Sequence, residues 1–119
     1  MKFGLSESDW TAAKAEIVQI LAERARLRGM IPYSKLVSKM KAVRLEAHDT
    51  RLFNLLGEVS SDEDSAGRGL LSVLVVHKSG DMQPGPGFFE VAGERGRDTT
   101  DILRCWIEEL KIVHAYWLK

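Results

Sequence analysis

Three histidines, His48, His77 and His114, and a single cysteine, Cys105, are the side chains of this chain that could combine as a nucleophile and its base. Their spacing works against it. Cys105 and His114 stand nine positions apart in a stretch with helical periodicity, and nine steps of about 100° leave them half a turn apart. His48-Asp49 precedes a helix and His77-Lys78 closes an apolar run, so these residues read as histidines at element ends and a thiol serving as a small hydrophobe. No catalytic residue is assigned, and the chain is not expected to be an enzyme. Asp62-Glu63-Asp64-Ser65-Ala66-Gly67 has the acidity of a calcium loop. However, an EF-hand starting there needs an oxygen ligand at Ala66 and a bidentate glutamate at Val73. One cysteine excludes an internal disulfide and a cysteine-built zinc site, so no metal is expected. Gly85-Pro86-Gly87 and Gly93-Glu94-Arg95-Gly96 match neither a dinucleotide nor a phosphate-loop pattern, and no cofactor is expected. Arg95 and Arg97, just before a helix start at Thr99-Thr100, could hold an anion on exposed amides.

Charge carries more information than these constellations. The net charge is zero, yet residues 24–51 hold eight basic side chains against Glu46 and Asp49, while residues 52–67 hold four acids and no base. A basic patch attracts polyanions even where the whole chain does not. The residues placed to meet nucleic acid are Lys35, Lys39, Lys41, Arg44, His48, Arg51, Asn54 and Lys78, with Arg51 and Asn54 on the helix that would enter the major groove. Opposing this are Glu58 and the Asp62 to Asp64 cluster.

The elements that must position these residues follow from periodicity and breakers. At 119 residues, with 45% hydrophobic and 29% charged content, the chain fits one globular domain spanning residues 1–119. Its apolar runs are too short to span a bilayer, the N-terminus lacks a sustained apolar core, and the cytoplasm is the expected compartment. Ser6-Glu7-Ser8-Asp9 offers a helix cap, and Trp10, Ala13, Ile17, Ile20 and Leu21 predict a helix over Ser8 to Arg28, with Gly29 as its left-handed terminator. Met30-Ile31 before Pro32 predicts a very short edge strand, and Ser34 a cap for a brief second helix with Leu36, Val37 and Met40 inward. Asp49 and Thr50 open a third helix on Leu52, Leu55, Leu56 and Val59, with the polar run Ser60 to Gly69 read as a loop. Leu70 to His77 and Phe88 to Ala92 read as the strands of a hairpin, both faces of the first needing cover. A final helix, capped by Thr99 or Thr100, carries a stripe of Leu103, Trp106, Leu110, Val113 and Trp117. Trp106, Tyr116 and Trp117 read as core or interface rather than as a base-stacking platform.

The resulting fold class is α+β and winged-helix-like, in the order α-(short β)-α-α-β-β-α with the C-terminal helix packed on the hairpin. Residues Ile31 to Ala92, with Tyr33-Ser34-Lys35-Leu36-Val37 opening the second helix and Leu70 to Ala92 as the wing, resemble a winged helix-turn-helix. The layout is similar to the DNA-binding domain of the alkyltransferase-like proteins, in which a Tyr-Gly turn opens the short helix. The chain departs from that family in lacking a Pro-Cys-His-Arg segment, so alkyl transfer is not implied. The resemblance implies a small DNA-binding winged helix, its third helix in the major groove and its second on phosphates. The alternative is a protein-interaction module, an adaptor or antitoxin-like partner on the same scaffold. A homodimer through the C-terminal helix is expected to bury Ile102, Ile112 and Tyr116, which lie off the stripe.

Overall fold

The computed structural model describes residues 4–77 and 84–118. It is α+β and mostly helical: α1 (Glu7–Arg26), β1 (Ile31–Pro32), α2 (Tyr33–Lys39), α3 (Thr50–Ser65), a 3-10 turn (Leu71–Leu74), β2 (Val75–Val76), α4 (Pro86–Glu94) and α5 (Ile102–Trp117). Among the described residues, no helix is long and apolar enough to cross a membrane.

The apolar run from Leu70 to Val76, interrupted only by Ser72, is the centre of the core. Leu70, Leu71, Val73, Leu74, Val75 and Val76 have no exposed surface, because α1, α3 and α5 all close around the 3-10 turn. Cover on both faces is thus met by helices, as a run without polar alternation requires. β2 pairs in parallel with the short edge strand, Ile31 opposite Val75 and Pro32 opposite Val76. Proline is tolerated there because a two-stranded sheet leaves it an edge on which no amide donor is needed.

The expected hairpin is not formed. Leu70 to His77 contributes a 3-10 turn and two strand residues, and Phe88 to Ala92 lies in α4. Pro86 sits in the first turn of α4, where its missing N–H costs nothing, and Phe88 and Ala92, four apart, are its buried pair. The helical spacing of these residues prevails over the β-propensity of Phe-Phe-Glu-Val.

Helix boundaries also differ from those expected. Ser6 caps α1, accepting from the Asp9 amide at 3.1 Å, as its residue type suggests. At the other end Arg28, not Gly29, takes the left-handed conformation (φ 54°). The Arg28 amide donates to the Ala25 carbonyl and the Gly29 amide to the Arg24 carbonyl, a Schellman closure with a side chain where glycine is usual. Holding a non-glycine residue there costs roughly 1–2 kcal/mol. Tyr33 rather than Ser34 opens α2, with Pro32 before it. Asp49 caps α3 through the Arg51 amide at 2.9 Å, but the helix runs on through Ser60 to Ser65. The polar continuation survives because its inward residues are satisfied: Ser60 bonds Ser72, and buried Glu63 pairs with Arg68. Asp101, not Thr99 or Thr100, caps α5 by accepting from the Arg104 amide at 3.1 Å.

α5 is rotated from the expected stripe. Its buried residues are Cys105, Glu109 and Val113, while Leu103 is exposed. A carboxylate sits at the centre of that face because its partners wait there. Glu109, 1% exposed, accepts from the Leu70 amide at 2.8 Å and from Arg97 at 2.9 and 3.1 Å. Arg97 also reaches Asp64 at 2.7 Å, so one guanidinium ties α3 to α5. Hydrogen bonds to Asp64 and Glu109 raise Arg97 above its usual pKa. Gly69 (φ 87°) lets the chain pass this site, since a Cβ there would stand 3.2 Å from the Glu109 carboxylate and 3.0 Å from Ile112.

Candidate nucleic-acid interface

The short helix α2, the start of α3 and the connection between them hold the basic residues. α2 turns Tyr33 and Leu36 inward, which leaves Lys35 and Lys39 in solvent. Along residues 42–46 burial alternates: Val43 and Leu45 are core, while Ala42, Arg44 and Glu46 face out. The start of this connection is fastened to α1, for the Glu16 carboxylate accepts from the amides of Lys41 (2.9 Å) and Ala42 (3.2 Å). Lys41 thereby keeps its backbone fixed and its side chain exposed. His48 is exposed just before α3.

Among the described residues, no ion pair engages Lys35, Lys39, Lys41 or Arg44. Arg51 and Asn54 are different. Arg51 folds back on Asp49 through two arms at 2.7 and 3.1 Å, and that hydrogen bonding holds the Asp49 carboxyl below its usual pKa. The Asn54 amide donates to the Thr50 carbonyl at 3.0 Å. Neither is extended toward a base edge. Lys78 lies outside the described residues.

Each acid of the stretch that opposed this surface meets a cation of the same chain. Lys14 meets Glu58 at 3.3 Å and Asp62 at 2.7 Å, and Trp10 donates to Glu58. Glu63 pairs with Arg68, and Asp64 with Arg95 (3.0 Å) and Arg97. Hydrogen bonds from Arg97, then from Arg95, depress the Asp64 pKa against the opposing effect of burial. Arg95 and Arg97 are engaged by these contacts rather than held free for an anion before α5. Partners for residues 58–64 come from α1 and from residues 68–97, which a charge count within one stretch of sequence misses. The position of Glu109, four residues from both Cys105 and Val113, was the sequence signal for the buried carboxylate.

The nucleophile candidates are separated. Cys105 is buried beside Glu109, and burial pushes its thiol pKa up, away from reactivity. His114 faces the Gly29 carbonyl at 3.2 Å, and the His77 ring tilts against Tyr33 at 5.1 Å. The Tyr33 hydroxyl accepts from the Gly85 amide at 3.0 Å, which fixes the entry to α4. Among the described residues, no group of three or more His, Cys, Asp or Glu side chains is placed to hold a metal ion.

Comparison with protein-family models, curated proteins and solved structures returns no match.

Proposed function

We propose that the chain binds nucleic acid, most simply DNA, through the surface formed by α2, the residue 40–49 connection and the start of α3. The observation that carries this reading is a separation of paired from unpaired charge. Lys35, Lys39, Lys41 and Arg44 are exposed and unengaged among the described residues, while the acids of residues 58–64 each meet a cation from elsewhere in the fold. A chain of zero formal charge therefore presents a locally positive surface, which suits phosphate contacts that position without reading sequence. The winged-helix element of the proposal is confined to α2 and α3 as a helix-turn-helix-like pair. The segment expected to form the wing's second strand is helix α4. Arg51 and Asn54 join the interface by leaving Asp49 and Thr50, so base readout costs them existing hydrogen bonds.

Fluorescence anisotropy on a labelled duplex of random sequence tests the proposal. The triple variant Lys35→Ala, Lys39→Ala, Arg44→Ala is expected to weaken binding and flatten the slope of log K against log salt by about 0.9 for each phosphate no longer neutralised. Arg51→Ala should do less, because its guanidinium already serves Asp49. A wild-type protein that leaves the duplex untouched at low salt ends the reading.

A protein-interaction module is the second reading, favoured by α5. At about 100° per residue, Leu103, Ile107 and Leu118 share one exposed flank of this helix. A two-fold dimer through that flank is its simplest form.

A further inference from the structure

Leu27 is the most exposed large hydrophobic side chain described, at 74%, and stands between exposed Arg26 and Arg28. Its presentation is built rather than frayed. Arg28 holds the left-handed position although Gly29 is next in the chain, and the Arg26 guanidinium lies 5.3 Å from the centre of the Trp117 ring. Backbone strain of this kind persists where the surroundings enforce it, and Arg26, Leu27 and Arg28 are all exposed at this turn.

A groove of about 780 Å³ has the complementary character. Pro84, Pro86, Phe89 and Ile102 give it apolar walls, and Glu90 and Glu94, one turn apart on α4, supply carboxylates at its edge. Among the described residues, no lysine or arginine lines it. Among the described residues, no cation pairs with Glu90 or Glu94.

We propose that the Arg26-Leu27-Arg28 turn of one copy docks in the Glu90/Glu94 groove of a second copy, with Leu27 in the apolar channel and the arginines on the two carboxylates. A single copy cannot close this contact on itself. The turn lies at the C-terminal end of α5, where His114 meets the Gly29 carbonyl, and the groove lies at its N-terminal end at Ile102. Sixteen helical residues separate the two ends by roughly 24 Å at 1.5 Å per residue. The contact joins unlike surfaces, so it is heterologous and adds copies head to tail, to a closed ring or an open chain. It uses none of the residues of the nucleic-acid surface.

Sedimentation velocity on nuclease-treated full-length protein, from micromolar to near-millimolar concentration, tests the inference. Wild type is expected to gain mass with concentration and lose it with added salt, since the arginine–carboxylate pairs are screened. Leu27→Asp and the double variant Glu90→Lys, Glu94→Lys are each expected to stay monomeric with unchanged thermal melts, the altered side chains being exposed or at the groove edge. Mixed together, they should form a heterodimer and nothing larger, because the groove of the first and the turn of the second remain intact and meet once. A strictly monomeric wild type would overturn the proposal, as would a mixture that stays monomeric. Association that survives Leu27→Asp but is abolished by Ile107→Glu would move the interface to the flank of α5 and also overturn it.

Discussion

Leu74→Asp will leave no cooperatively folded protein at 25 °C. Leu74 has no exposed surface, and the 3-10 turn carrying it is enclosed by α1, α3 and α5. The substitution removes the transfer free energy of a buried leucine, about 1.5–3 kcal/mol, and adds a carboxylate where, among the described residues, no lysine or arginine is buried to meet it. An uncompensated polar group in such surroundings costs several kcal/mol more, against a total stability of roughly 5–15 kcal/mol for a domain. Urea titration followed by circular dichroism measures it. A sigmoidal transition close to that of wild type would show that this turn is not the centre of the core.

Glu109→Ala is expected to be nearly as damaging, at about 3–5 kcal/mol, the range for removing one partner from a buried ion pair. The Leu70 amide is left without its carboxylate acceptor, and Arg97 keeps Asp64 but gives up two hydrogen bonds. Glu109→Gln retains an acceptor for Leu70 and should recover part of the stability in the same titration. If both variants melt like wild type, the carboxylate does not hold α5 to the turn. The pH dependence has a defined sign. Asp64 has its folded pKa lowered by Arg97 and Arg95, so its contribution is complete above the unfolded value of about 3.9 and disappears as pH falls through the folded one. Arg97, raised further above an already high value, stays charged throughout. Stability should therefore drop on acidification below about pH 4, and Asp64→Asn should flatten that limb. An acid limb equally steep in Asp64→Asn would assign it to other carboxylates.

What could be read from residue order was what depends on near neighbours or on unbroken apolarity. Ser6 and Asp49 are caps by type, Leu52, Leu55, Leu56 and Val59 mark α3, and Ile31 before Pro32 marks the edge strand. The run from Val73 to Val76 had to be covered on both sides, and it is. What escaped depends on partners far along the chain. Ser60 and Glu63 look like loop residues until Ser72 and Arg68 return to them, and Glu109 looks like surface until Leu70 and Arg97 do. Phe88 to Ala92 has strand composition, and only the inward spacing of Phe88 and Ala92 behind Pro86 makes it a helix. The basic surface was legible in composition, since Lys35, Lys39, Lys41 and Arg44 all face solvent. The engagement of Arg51 by Asp49, two residues away, follows no helical pairing rule and was not.

The pairing of Ile31 with Val75 has a consequence for how the surface can change over time. Those two residues clasp the ends of a long excursion that contains α2, the connection and α3, so the chain entropy of closing it is already spent on a distant pair. Such a cost grows only with the logarithm of length, and even doubling the excursion adds about 0.6 kcal/mol. Insertions near exposed Glu46 and the neighbouring His48, beyond the amides fastened by Glu16 and the buried Val43 and Leu45, would alter the reach of the basic side chains at little thermodynamic penalty. The clasp leaves the spacing between α2 and α3 open to natural variation, while the 3-10 turn beside it tolerates almost none.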